Sequence, residues 1–366
     1  MSTAINWRIF IAFALLLVSC ASPQAPLTPW STPSPTASPT PAASPTPALT
    51  ESERATLSSL ERVDDYPLYV MHYSGPLRGL AQLNGTSDVS SVAIFPAQES
   101  EGGMFGCSLF AALGDPENRL YGRNLQADNG PGLLLFTDPP NGYASVSMVN
   151  LKWLGLGDRS RNLADLPLAE RQMLLYAPAV PFDGMNEKGL AIGMASVDSG
   201  GLMHPDPQKK SISEFGIIRE ILDHAATVEE AIDLMGSYNI NMAGMPFHYL
   251  VASAAGDSAV VEFYKSEMVV LRNKSPWQVA TNFLVASLKD EYSSGGCGRY
   301  SEMSYQLKES EGQIPSVDAL RLLYLVSESN TRWRILYHMT SGDLDVVMGY
   351  QSNGTIHSFH LEQTTP

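Results

Sequence analysis

Short apolar runs of strand length, interrupted by helices that come in pairs, restrict what this chain can fold into more than any other feature of it. Such runs occur at Pro67 to Tyr73, Val89 to Ile94, Met104 to Leu113, Leu133 to Phe136, Ala144 to Val149, Leu190 to Val197, His248 to Ala252, Ala259 to Tyr264, Met268 to Leu271, Val279 to Asn282, Trp333 to His338 and Leu344 to Tyr350. Ser213 to Ala226 and Val228 to Tyr238 instead have helical period, and Thr227 with Glu230 reads as a capping box ahead of the second. A further helix is predicted over Ser316 to Ser327 and a polar surface helix over Glu51 to Arg62. A doubly wound parallel sheet needs strict alternation of strand and helix. Paired helices between strand clusters point to an α+β sandwich. No repeat and no break in composition divides residues 51–366, which are read as one domain.

The N-terminus has a different character. Arg8 is the only charge before a short apolar core, Ile9 to Val18, and Leu17-Val18-Ser19-Cys20 then reads as a lipobox. The core is shorter than the roughly 20 apolar residues that span a bilayer. Residues 1–19 are therefore predicted to be a lipoprotein signal peptide, with Cys20 as the lipid acceptor. An ordinary cleaved signal and a short anchor helix are the rival readings. Residues 20–50 contain nine prolines and no charged residue, a composition that cannot bury a core and that proline holds semi-extended. They are predicted to be a stalk that holds the folded part off the outer face of a bacterial membrane.

Several chemistries are excluded early. Lys and Arg total 23 against 38 Asp and Glu, a net charge of -15, which offers no basic surface for nucleic acid. There is no Cys-x-x-Cys, no His-Glu-x-x-His, no P-loop, no dinucleotide fingerprint and no Gly-x-Ser-x-Gly elbow, so no metal and no cofactor is predicted. His357 and His360, three apart in an apparent strand, point to opposite faces.

Cysteine is what remains. If Cys20 carries lipid, Cys107 and Cys297 stay in the exported fold, and cysteine arithmetic alone allows a disulfide between them. The surroundings of Cys107 argue otherwise. Gly106-Cys107-Ser108-Leu109-Phe110-Ala111-Ala112-Leu113-Gly114, followed by Leu120-Tyr121-Gly122-Arg123-Asn124-Leu125, resembles the nucleophile hairpin of the cysteine N-terminal-nucleophile (Ntn) hydrolases. That group includes choloylglycine hydrolases, penicillin V acylases, acid-ceramidase-like amidases and the acyl-coenzyme A:6-aminopenicillanic acid acyltransferases. Asp183-Gly184-Met185-Asn186-Glu187-Lys188-Gly189-Leu190 is similar to the family's Asn-Glu-x-Gly-Leu strand entry. Ala280-Thr281-Asn282-Phe283 is similar to its Thr-Asn element, and Cys297-Gly298-Arg299-Tyr300 to its late arginine. The segment of about a hundred residues ahead of Cys107 fits the linear amide C-N hydrolase and acyltransferase branch best.

The resemblance implies a four-layer αββα Ntn-hydrolase sandwich, with Cys107 as nucleophile, Arg123 and Arg299 beside it, and Asn186 and Asn282 as donors to the oxyanion. It also implies autocleavage at Gly106/Cys107, into a small chain ending at residue 106 and a catalytic chain 107–366 held together noncovalently. The chemistry has its own logic. A thiol titrates near about 8.5 and a new α-amine near about 7.7–8.0, so a cut before Cys107 puts nucleophile and base on one residue. One position departs from the family, which usually has Asp two residues after the Arg-Asn pair. Here Gln126 stands there, with Asp128 two residues on, and either is a candidate partner for the amine. The expected activity is hydrolysis of a small-molecule amide, one bearing an acyl chain, through a Cys107 thioester. Transfer of the acyl group to an amine acceptor, a non-catalytic lipid-anchored binding protein, and a papain-like Cys107, His248, Asn282 site are the alternatives.

Overall fold

Alternation along the apolar runs becomes strand after strand in the computed structural model, which describes residues 48–79, 106–127, 130–197, 206–242, 245–264, 267–288 and 296–364. Helix α1 (Glu51–Ser58) leads to β1 (Glu61–Asp64) and β2 (Leu68–Tyr73). The hairpin β3 (Gly106–Ala112) and β4 (Leu120–Gln126) comes next, then β5 (Gly132–Thr137), β6 (Ser145–Asn150), β7 (Asp183–Asn186) and β8 (Leu190–Ser196). After β9 (Lys210–Ser213) come the paired helices α2 (Gly216–His224) and α3 (Val228–Ser237) and the short β10 (Tyr238–Asn241). The chain continues through β11 (Phe247–Ser253), β12 (Ser258–Tyr264), β13 (Glu267–Arg272) and β14 (Trp277–Ala280). A second helix pair, α4 (Gly298–Glu309) and α5 (Ser316–Leu325), precedes β15 (Thr331–His338), β16 (Asp343–Met348) and β17 (Ile356–His360).

Among the described residues these strands make two large sheets, ordered β1-β2-β5-β6-β7-β8-β11-β12-β13 and β14-β3-β4-β15-β16-β17, with a small β10-β9 pair aside. Strands β3 and β8 meet face to face between the sheets. Helices α2 and α3 pack on the outside of the first sheet, against β7, β8, β11 and β12; α4 and α5 pack on the second, against β3, β4, β14 and β15. The compact unit Leu49–Pro366 is thus an αββα sandwich.

The first three helices can be traced to their sequence. Thr227 accepts from the Glu230 N–H while Glu230 reaches back to the cap, completing the box before α3. In α2 the buried apolar residues are Ile217, Ile218, Ile221 and Leu222, a stripe at helical spacing that lies on the sheet. The polar helix predicted to reach Arg62 ends earlier, at Ser58. Ser59 Oγ donates to the Thr56 carbonyl at 2.7 Å and to the His72 carbonyl at 3.0 Å, turning the chain so that Glu61–Asp64 pairs with β2 as an edge strand. Strand β2 is interior: β1 lies antiparallel on one side and β5 parallel on the other. The Val89 to Ile94 run lies outside the described residues.

Candidate active site

The β3–β4 hairpin sets the frame. Cys107 pairs with Leu125 and Leu109 with Arg123, so Cys107 and Arg123 are diagonal neighbours on the face turned toward the other sheet. Gly122 lies across from Phe110, and a Cβ there would stand 2.3 Å from the Phe110 ring, which explains the glycine of the Gly-Arg-Asn run. Cys107 and Arg123 are both buried.

Arg123 has a fully enclosed guanidinium lying against the edge-to-face pair Phe182 and Trp333, whose ring centroids lie 5.9 and 6.0 Å from it. It donates to the Asp183 carboxylate, to the Met194 carbonyl at 3.3 Å and to Cys107 Sγ at 3.5 Å. Tyr337 donates to the other Asp183 oxygen at 2.5 Å. Burial pulls the guanidinium toward deprotonation, but the adjacent Asp183 and Cys107 outweigh it and hold Arg123 above its ordinary range. Burial, and then Asp183, push Tyr337 well above the usual phenol value, so it stays a donor. A fixed cation therefore faces the sulfur.

The second arm comes from the other side of β3. Strand β14 pairs Ala280 with Leu109, and the same register carried two residues further sets Asn282 opposite Cys107. There the side chain takes over from the strand: Asn282 Oδ1 accepts the Cys107 N–H at 2.7 Å. Arg299, in the first turn of α4, donates to the same Oδ1 at 2.9 Å, to Ser108 Oγ at 3.0 Å and to the Cys107 carbonyl, and pairs with Glu328 at 3.0 Å. Asn282 Nδ2 donates to the Ser196 carbonyl at 2.8 Å and lies 3.2 Å from Ser196 Oγ. Cys107, Arg123, Asn282 and Arg299 thus form one constellation, in which the backbone nitrogen and the thiol of Cys107 are each met by a side chain from elsewhere in the chain.

Asn186 is not part of it, which corrects the expectation. Its Oδ1 accepts from the Lys188 and Leu190 N–H groups, both at 3.1 Å, and its Nδ2 donates to the carbonyls of Leu222 and Ala225 at the end of α2. The Asn-Glu-Lys-Gly motif is a turn. Gly189 closes it with φ +71°, where a Cβ would meet the Met339 carbonyl at 2.4 Å. Ser196, at the far end of β8 from that turn, is the residue that reaches Asn282; Asp183, the first residue of the same motif, and Tyr337 are the others that pattern reading did not assign.

Gln126 lies across from Gly106. Its Oε1 is buried and accepts no hydrogen bond from the described residues, and it would lie 3.0 Å from a Cβ placed on Gly106. Asp128 and Cys20 lie outside the described residues. Cys107 and Cys297 are both free thiols, so the disulfide is not formed. His248 does not serve Cys107: Nδ1 faces Glu262 at 2.9 Å and Nε2 faces the Thr281 carbonyl at 2.6 Å, which removes the papain-like arrangement. His357 and His360 are held by Asp64 and Asp343. Among the described residues no group of three or more His, Cys, Asp and Glu side chains is placed to hold a metal ion.

The αββα sandwich has the Ntn-hydrolase fold, and its inner hairpin carries a Gly-Cys junction with an Arg behind the thiol and an Asn on its backbone nitrogen. Residues 177–335 match the family described as acyl-coenzyme A:6-aminopenicillanic acid acyl-transferase, so that part of the chain is similar to it. It is also similar to the structure of penicillin V acylase from Agrobacterium tumefaciens, at 17% identity over 70% of this chain and 86% of that one, with a TM-score of 0.48. A variant of the conjugated bile acid hydrolase from Clostridium perfringens is similar at 16% identity over 71% of this chain and 93% of that one, with a TM-score of 0.49.

Proposed function

We propose that the protein hydrolyses a linear, non-peptide amide through a thioester on Cys107, after cutting itself between Gly106 and Cys107. The observation that carries the reading is the double engagement of Cys107, its thiol by Arg123 and its nitrogen by Asn282. In the uncut chain the Cys107 thiol attacks the Gly106 carbonyl, the peptide nitrogen leaves as an amine, and water hydrolyses the ester-like link. The freed α-amine titrates near about 7.7–8.0 and takes over the proton traffic. It removes the thiol proton as sulfur attacks the substrate carbonyl and returns that proton to the departing amine. It then activates water to release the acid. Gln126 Oε1, a buried acceptor with no donor among the described residues, is suited to hold the new amine. Asn282 Nδ2, with the Ser196 hydroxyl nearby, is suited to steady the oxyanion.

The two asparagines separate chemistry from architecture. Asn282→Ala is expected to lower kcat on a panel of N-acyl amides by about 100- to 1000-fold. Asn186→Ala is expected to lower stability by about 1–3 kcal/mol with turnover per folded molecule unchanged, because it orphans groups in a turn. Steady-state kinetics beside urea unfolding decide it; equal kinetic losses in both would remove the distinction.

The match to an acyl-transferase family favours a second reading, in which an amine replaces water as acceptor. Comparing product ratios with amide and thioester donors, with and without added amines, separates the two. A chain that neither cuts itself nor turns over any amide would be the binding protein that Gln126 allows.

We further propose, from the lipobox and proline-rich segment, that Cys20 is lipidated and anchors the protein on the outer membrane face. Cys20→Ser made in the native host should move the protein to the soluble exported fraction, and continued sedimentation with membranes at the wild-type level would sink the idea.

A further inference from the structure

Deep in the sandwich, away from the thiol, His248 and Glu262 are both fully buried and are left unused by the reaction above. They are cross-strand neighbours: β11 and β12 pair Tyr249 with Val261, and one residue further along the same register His248 meets Glu262. A buried charged pair needs its remaining lone pairs and hydrogens matched. Here each is directed at one short stretch of chain. His248 Nε2 faces the Thr281 carbonyl at 2.6 Å, and since a carbonyl can only accept, Nε2 carries the hydrogen. Glu262 Oε1 accepts the Val285 N–H at 2.6 Å and Oε2 the Ala286 N–H at 2.9 Å. One proton lies between Nδ1 and Oε1, so neither group is left unmatched.

The stretch so held, 281–286, leaves the end of β14 in the six-stranded sheet, whereas His248 and Glu262 belong to the nine-stranded one. Asn282 lies inside it. We propose that the His248–Glu262 pair is a positioning clamp between the two sheets, which fixes the backbone of Thr281 so that Asn282 Oδ1 stays on the Cys107 nitrogen and Nδ2 on Ser196. The inference rests on the reading of Cys107 as nucleophile for its effect on chemistry, but not for its effect on geometry. Three bonds brace the stretch on either side of Asn282, one through Thr281 and two through Val285 and Ala286. Without them that amide would be presented by an irregular segment beyond the strand end. An aromatic ring in place of His248 keeps the volume and removes both contacts, whereas Glu262→Gln keeps the shape and a contact to His248 but loses one oxygen that accepts a backbone N–H.

The test uses the full chain and two readouts. The first is amide hydrogen exchange at residue 107, Val285 and Ala286, measured in the uncut Cys107→Ala background because cutting would turn the residue 107 amide into an amine; it reports the clamp without any catalysis. The second is the rate of appearance of the cut chain, with Cys107→Ala as the uncut control. His248→Phe is expected to quicken exchange at these amides by about tenfold or more, leaving the strands β8 and β11 protected, and to slow self-cleavage by about 100-fold. Glu262→Gln is expected to fall between it and wild type in both. Folded His248→Phe in the uncut background, with exchange at the residue 107 amide unchanged from Cys107→Ala alone, overturns the clamp. So does faster exchange at Val285 and Ala286 with cleavage unchanged. If His248→Phe does not fold, Glu262→Gln decides by the same two criteria. A wild type that stays uncut defeats the cleavage reading instead, and exchange at the residue 107 amide of Cys107→Ala still decides the clamp.

Discussion

Cys107→Ala is expected to run as one full-length band on denaturing electrophoresis, where the wild type runs as two, and to have no measurable amidase activity. The effect should be complete because, in the proposed mechanism, one substitution removes two functions: the sulfur that attacks Gly106 and the sulfur that later carries the acyl group. Alanine fits the site, since Cys107 is a buried, small, apolar neighbour of Leu109 and Leu125 in the inter-sheet core. Loss of activity would therefore not be a loss of fold. Cys107→Ser separates the steps, because a hydroxyl attacks the junction more slowly and leaves an ester in place of a thioester. A full-length wild-type band that hydrolyses amides at the rate of the preparation as a whole would falsify both the cleavage and the free-amine mechanism.

Asp183→Ala should be the most damaging substitution for stability. It leaves the Arg123 guanidinium buried without its carboxylate and takes the acceptor from Tyr337 in the same stroke. Removing one partner of a buried pair costs about 3–5 kcal/mol, a large share of the stability of an ordinary domain. Burial pulls Arg123 toward deprotonation and Asp183 is the foremost opposing influence, so its loss also weakens the cation that faces the thiol. Asp183→Asn, which keeps an acceptor for Tyr337, should be milder. Urea unfolding of both variants measures this, and a loss under about 1 kcal/mol in Asp183→Ala would show that the pair is not what keeps Arg123 in place.

The part of this site that lies within one hairpin was legible in the chain. Cys107 and Arg123 are separated by a strand, a turn and a strand, and that spacing alone makes them diagonal neighbours. The paired helices α2 and α3 were legible too, because a capping box and an apolar stripe are local signals. What escaped depends on partners far along the chain. Asp183 reaches Arg123 and Tyr337 only because two sheets face each other, and Ser196 meets Asn282 for the same reason. Asn186 misled because a motif shared with a family says that a residue is needed, not why; here a tight turn needs it. Helix α4 was missed because its buried residues, Tyr300, Met303, Ser304 and Leu307, are interleaved with serines and charges that read as loop.

Strand β2, inside the nine-stranded sheet between β1 and β5, bears on how the molecule ages. It is laid down while the polypeptide is still continuous, and residues Asp64 and Tyr66 beside it bind His357 and Arg332 of the opposite sheet. Scission at Gly106 would turn an intramolecular assembly into a bimolecular one with no tether to bring the pieces back. Folding would then be a one-time event. Heat or denaturant would part the fragments for good at high dilution, so the working life of the protein would be set by an unfolding rate and not by an equilibrium.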